Sequence, residues 1–245
     1  MIKLTVWNED NCAQSENVAK AYPDGINAYL AEMFSEENDF EVTKASLEDP
    51  DCGLPEEVLE NTDVLVWWGH CKHEQVPDEL VQKIHDRVLR GMGLIVLHSA
   101  HYSKIFRSLM GTTCSLKWRE GDRERLWNIA PNHPITQGVG DSIMLDAEEM
   151  YGERFDIPQP DETVFLGWFS GGEVFRSGCC WNRGLGKVFY FQPGHETNPT
   201  YKNKDIQTVL KNAVRWAAPY RIQKEPIDAP HIPVSPEEEY AKSKG

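Results

Sequence analysis

The stretch Gly93-Leu94-Ile95-Val96-Leu97-His98-Ser99-Ala100-His101 decides how this chain is read. Gly93–Leu97 is a short apolar run of strand type that breaks off into small and polar residues, with two histidines three positions apart. In an open α/β sheet the residue after a buried parallel strand lies at the carboxyl edge, where ligands bind. Many hydrolases set a Ser or Cys nucleophile on such a strand-to-helix elbow. Here the elbow carries His98. The stretch therefore predicts a hydrolase-like fold whose focal chemistry differs.

The flanking sequence repeats the pattern. Ile2–Trp7, Phe40–Thr43 and Asp63–Trp68 read as strands. Pro23-Asp24-Gly25 opens a helix that carries Ile26, Tyr29, Leu30, Met33 and Phe34 on one face. Pro77 suits a first helical turn, and Val76, Leu80, Val81, Ile84 and Val88 form the stripe of a second helix that ends at Gly91. A third begins at Ser103. Asn8–Tyr22 is polar and reads as a loop. Alternating strands and helices predict a parallel, doubly wound sheet. Beyond residue 110 the texture changes. Leu116–Ile129 interleaves Trp118 and Trp127 with charges and reads as a β-hairpin. Ser142–Leu145, Thr163–Phe169, Glu173–Cys180 and Lys187–Gln192 read as short strands, and Asn203–Ala217 as a last helix. The expected domain is 1–220. Residues 221–245, rich in Pro, Glu and Lys, are expected to form an extended or disordered arm, available to wrap a neighbour in a homo-oligomer.

Composition narrows the partners. Against 25 Lys and Arg stand 39 Asp and Glu, a net charge of −14. That balance argues against nucleic acid and anionic membranes as partners. No apolar run reaches the roughly 20 residues of a membrane span. Met1–Trp7 reads as a first strand rather than a signal peptide, so the cytoplasm is the expected compartment. Six cysteines, at 12, 52, 71, 114, 179 and 180, form no C-x-x-C pair and are expected to stay reduced. Cys179 and Cys180 are expected on opposite faces of one strand.

Three strand ends carry histidine: Gly69-His70, Leu97-His98 and Gly194-His195. On one sheet edge these imidazoles would share a metal or act as general acid and base. His101 falls near the same edge, whereas His73 reads as a solvated loop residue and His133, before Pro134, as a turn residue. Asp146, Glu148, Glu149 and Glu153 supply carboxylates, with Tyr151 beside them. Among the tryptophans, Trp118 and Trp127 are the ones expected to be exposed, where an aromatic face can stack on a sugar ring.

Taken together, the Leu97-His98-Ser99-Ala100 elbow, Asn132-His133-Pro134-Ile135-Thr136, Glu149-Met150-Tyr151 and Gly186-Lys187-Val188-Phe189-Tyr190-Phe191-Gln192-Pro193-Gly194-His195-Glu196 resemble the ThuA family of trehalose-utilisation proteins. The resemblance runs from residue 2 to about 218. It implies a class I glutamine-amidotransferase-like, flavodoxin-like three-layer sandwich with a mostly parallel sheet and β-hairpin insertions in the second half. It also implies a part in sugar utilisation alongside sugar-oxidising dehydrogenases, and it places His195 in the region of the amidotransferase triad histidine. Those enzymes carry Cys where this chain has His98, and an imidazole cannot form their thioester. Glutaminase activity is not expected.

Three functions follow as expectations. The first is an enzyme acting on a disaccharide or keto-sugar by metal-assisted isomerisation or elimination. A divalent metal, Zn²⁺, would be held by His98 and His195 with His70 (or His101) as third ligand. His98, His195 and Glu149 would be catalytic, and Tyr151, His101 and Trp118 would contact the sugar. The second is a non-catalytic sugar-binding or regulatory module. The third is a hydrolase that pairs Ser99 with His195.

Overall fold

Parallel strands buried on both faces read as unbroken apolar runs, and those of this chain build one half of a nine-stranded sheet. The computed structural model describes residues 1–9 and 16–244. In chain order the elements are β1 (Ile2–Asn8), α1 (Glu16–Ala21), α2 (Gly25–Ser35), β2 (Phe40–Ser46), α3 (Glu56–Glu60), β3 (Val64–Trp68), α4 (Asp78–Leu89), β4 (Gly93–Leu97) and α5 (Lys104–Met110). Then follow β5 (Lys117–Asn128), β6 (Ser142–Gly152), β7 (Glu162–Phe169), β8 (Val174–Arg183), β9 (Gly186–Phe191), α6 (Lys204–Ala217) and α7 (Pro236–Ser243). The sheet order is β2-β1-β3-β4-β9-β8-β7-β5-β6. The first five of these strands run parallel; from β9 onward every pairing is antiparallel.

Alternation along each parallel strand divides the core. Val64, Val66, Trp68, Ile95, Leu97, Phe189 and Phe191 pack with α2 and α6, while Leu65, Trp67, Leu94, Val96, Val188 and Tyr190 pack with α4 and α5. Each such apolar side chain taken fully from water contributes about 1.5–3 kcal/mol. Cys180 falls in the first cluster and Cys179 in the second, the opposite faces expected of neighbours on a strand. Burial pushes the Cys179 thiol up to about 12, so it packs as an apolar group. Cys12 lies outside the described residues.

Three expectations change. Leu116–Ile129 is no hairpin: β5 runs straight through it. Gly121, which resembles a turn residue, has φ +85° and sits at a register shift between Arg119 and Asp122, as in a bulge. Within Asn8–Tyr22, residues 10–15 lie outside the described part, and Glu16–Ala21 is helical rather than loop. In the arm, Gln223 N–H donates to Arg90 O at 2.9 Å, and Pro236–Ser243 forms a helix capped by Ser235 and Glu238 as a capping box. None of the residues of α7 is buried.

Candidate functional site

The elbow forms where β4 stops. His98 takes a left-handed backbone, φ +50°, and begins a single 3₁₀ turn to Tyr102; Ser103 then caps α5 by accepting from Phe106 N–H. A side chain in that conformation is held at a cost of roughly 1–2 kcal/mol. The turn aims His98 across the sheet edge at β6. Its Nδ1 donates to Gln192 O at 2.7 Å, and its Nε2 stands 3.0 Å from Glu149 Oε2. Tyr151 lies alongside, its ring stacked on His98 at 4.9 Å between centroids and its hydroxyl bonded to Glu149.

The electrostatics of this pair agree from both sides. Burial pulls the His98 pKa down, but the bond to Glu149 and the charges of Glu148 and Glu149 more than offset it, and the pKa is raised. Burial pushes Glu149 up, but His98 outweighs it and the carboxyl stays below its usual range. The result is an imidazolium–carboxylate pair with both ring nitrogens donating. Burial, with the adjoining Glu149 charge, lifts Tyr151 well above the usual phenol value, so it remains a neutral hydroxyl.

Glu148 explains why Glu149 sits where it does. Its carboxyl oxygens accept from the N–H groups of Glu149 (2.9 Å), Gly194 (3.1 Å) and His195 (3.1 Å) and from Thr200 Oγ (2.6 Å). It thereby ties β6 to the loop after β9. Gly194 has φ +137° there, and a Cβ would lie 2.0 Å from the Tyr201 hydroxyl, so no other residue fits.

Glu149, Tyr151, His101, His195, His70 and Trp118 line one cleft of about 670 Å³, a volume typical of small-molecule sites. His101 donates from Nδ1 to Cys114 O at 2.7 Å, and burial lowers its pKa to about 3, leaving Nε2 as a bare acceptor. His195 is the other tautomer. Thr197 N–H donates to its Nδ1, so Nε2 carries the proton and faces Glu196 Oε2 at 3.7 Å. His70 Nε2 approaches the other oxygen of Glu196 at 3.6 Å. Trp118 is 63% exposed and forms the rim. His73 also lines the cleft and is buried, not solvated as its loop suggests.

The structure therefore gathers His70, His98, His101, Trp118, Glu149, Tyr151 and His195 at one sheet edge but separates their positions, whereas Glu153 pairs with Arg176 and Asp146 is exposed, neither lining the cleft. His98 has no exposure and stands behind Glu149 rather than in the cleft. The set His70, His98 and His195 does not fit a metal as one shell, because His98 has committed both ring nitrogens to hydrogen bonds. Among the described residues no group of three or more His, Cys, Asp or Glu side chains is arranged to hold a metal ion. Ser99 Oγ donates to Gly69 O at 2.9 Å, so the Ser99–His195 pairing has no support. Glu196 and the buried residues Gln192, Ser177 and Glu124 behind the pair escape a reading by residue type. The one signal available is a polar Gln closing the apolar strand β9.

A family model described as ThuA, trehalose utilisation, matches residues 3–217. Among curated proteins, none matches the chain. A putative ThuA-like protein from Parabacteroides merdae shares the fold at TM-score 0.65 and 14% identity, over 91% of this chain and 92% of that one. The structure of a protein described as cytoplasmic, STM1381 from Salmonella typhimurium, aligns at 0.60 and 16%, over 89% of this chain and 100% of that one. A glutamine amidotransferase from Thermotoga maritima aligns at 0.51 and 11%, over 88% of this chain and 97% of that one. Among the described residues no helix is long and apolar enough to cross a membrane.

Proposed function

The chain belongs to the ThuA trehalose-utilisation family, and from that premise we propose that its cleft binds a sugar and that Glu149 moves a proton at a carbon beside a sugar carbonyl. The observation that carries the reading is the 3.0 Å His98–Glu149 pair, with Glu149 facing the cleft and His98 sealed behind it. An imidazolium in that place keeps the carboxylate ionised near neutral pH, ready to accept a proton.

The step balances without a co-reactant. Glu149 takes the proton, the C–H electron pair becomes the C=C bond of an enediol, and the carbonyl π pair moves to oxygen. The His195 Nε2–H is the donor available to that oxygen, while the Tyr151 hydroxyl donates to Glu149 and orients it. Return of the proton to the former carbonyl carbon, with the hydroxyl proton of the neighbouring carbon passing to the former carbonyl oxygen, isomerises the sugar. In the elimination the oxygen pair re-forms the carbonyl, the C=C pair shifts to the next carbon, and the substituent there leaves with its bond pair and takes the proton from Glu149. Trp118 offers an aromatic face to the ring at the rim. His98 acts through Glu149 and is a positioning residue.

Proton NMR in D₂O tests this with a panel of ketoses and keto-disaccharides. Solvent deuterium is expected to enter the carbon beside the carbonyl with the native protein and not with Glu149→Gln. A panel in which sugars bind by calorimetry yet neither exchange nor turn over would replace the enzyme with a binding module.

A further inference from the structure

Glu124 lies on β5 with no exposure, beneath the His98–Glu149 pair, and the proton transfer proposed above does not use it. Its Oε1 is 3.1 Å from Ser177 Oγ. Its Oε2 is buried with no hydrogen-bond partner among the described residues. Ser177 Oγ also reaches Gln192 Oε1, at 3.4 Å. Gln192 holds both members of the pair: its side-chain N–H donates to Glu149 O at 3.0 Å, and its own backbone carbonyl accepts from His98 Nδ1 at 2.7 Å. The group is enclosed, since a Cβ on Gly167 would meet Glu124 Oε1 and Ser177 Oγ, each at 2.4 Å.

Counting protons assigns the direction of this chain. Ser177 has one hydroxyl hydrogen and two acceptors beside it. If Glu124 were ionised, that hydrogen would turn to it; Gln192 Oε1 would then lose its donor, and a charged Oε2 would remain buried with none. If Glu124 carries a proton, it donates to Ser177, Ser177 donates to Gln192, and Gln192 donates to Glu149. Only a neutral carbonyl oxygen is then left without a partner, which costs far less. We propose that Glu124, as the neutral acid, is a positioning residue whose proton directs the Ser177 and Gln192 hydrogen bonds that hold Glu149 and His98 in register. The environment agrees: burial, with the nearby Glu148, raises the Glu124 carboxyl well above the usual range, against a smaller opposing effect of Ser177.

The activity arm of the test rests on the proton-transfer reading of the site; the spectroscopic arms do not. Infrared difference spectra of native protein against Glu124→Gln at pH 7 are expected to show loss of the carbonyl stretch of a protonated carboxylic acid. Loss of a carboxylate band instead overturns the proposal. Nitrogen-15 NMR of the imidazoles reads the relay without substrate. The His98 ring signals are expected to shift in Glu124→Asp, whose carboxyl falls short of Ser177, and in Ser177→Ala, which removes one oxygen and keeps the packing should the Asp variant misfold. They are expected to hold in Glu124→Gln, whose amide N–H replaces the donated proton. His98 signals unmoved in both Asp and Ala variants overturn the relay. With a sugar that exchanges, Glu124→Asp is expected to lose about tenfold in kcat with KM within about twofold, and Glu124→Gln to restore kcat to within about twofold. A Gln variant as impaired as the Asp variant refutes the donor role. A native protein that exchanges no sugar refutes the proton-transfer reading alone, because the infrared and imidazole signals still decide the relay.

Discussion

The two halves of the sheet follow different rules. In the parallel half every residue of β3 and β4 is buried, and helices cover both faces. In the antiparallel half Trp127, Met144, Trp168 and Val174 remain more than a third exposed on the outer face. Yet the antiparallel half supplies Glu149, Tyr151, Glu124 and Ser177, while the parallel half contributes the elbow that turns His98 toward them. In the proposed reaction the parallel strands thus form the floor, and the antiparallel strand β6 carries the proton-accepting Glu149. A loop alone would hold Glu149 less firmly than β6 does, where Glu148 ties the strand to the Gly194–His195 backbone.

The largest expected effect tests that division. Glu149→Gln should lower the rate of carbon–hydrogen exchange by about 10²- to 10⁴-fold, the range that a positioned general base supplies. Circular dichroism should show the fold retained. A residual rate within tenfold of native would move the chemistry away from β6.

Next is the contrast in stability. Ile95→Ala, at a site with no exposure in the parallel half, should cost about 2–5 kcal/mol in urea unfolding. Trp168→Ala, on the outer face of the antiparallel half and 38% exposed, should cost about 0.5 kcal/mol or less. Equal losses would mean that the outer face is covered in solution.

The parallel half was also the legible one. A strand buried on both faces leaves an unbroken apolar run, so Asp63–Trp68 and Gly93–Leu97 could be bounded nearly to the residue. The elbow followed, because Leu97 ends the run. In the antiparallel half β7 and β8 read nearly as they stand, but charge hides the single strand β5 and the end of β6. The strand read at Ser142–Leu145 stops short of Glu148 and Glu149, but β6 continues to Gly152. Glu148 is buried because four donors converge on it, and Glu149 because His98 faces it; apart from the neighbouring Glu149 N–H, those partners lie about fifty residues away in sequence. No local pattern encodes such pairs. Glu124 illustrates the limit: it sits among Arg119, Arg123 and Arg125, where composition predicts a solvated charged hairpin, yet it is fully buried.

A smaller effect concerns pH, through the link between the halves. The folded-state pKa of His98 is raised above its ordinary value of 6.5, so its contribution is complete below that pH and is lost as pH rises through the folded value. That of Glu149 is lowered from 4.5, so its contribution is present above that pH and lost as pH falls through the folded value. The stability difference between native protein and Glu149→Gln should therefore be largest between about pH 4.5 and 6.5 and shrink on either side. Chemical denaturation across that range measures it. A difference that keeps growing above neutral pH would show that the pair is not imidazolium and carboxylate.

The smallest expected effect lies within the antiparallel half and separates its two most exposed tryptophans. Both are on β5, but Trp118 pairs in register with Tyr151 and lines the cleft, whereas Trp127 pairs with Ser142 and Leu166 away from it, beneath Arg125 at 5.3 Å. A ring stacked on a sugar face contributes about 0.5–1.5 kcal/mol, which corresponds to roughly a two- to tenfold change in affinity. Trp118→Ala should raise KM by that factor with kcat held, since the ring touches the sugar equally before and during proton transfer. Trp127→Ala should change neither. If both substitutions raise KM alike, the sugar reaches beyond the cleft along β5. If kcat falls in Trp118→Ala, the rim also orients the bond that breaks, and the cleft and the His98–Glu149 pair work as one unit.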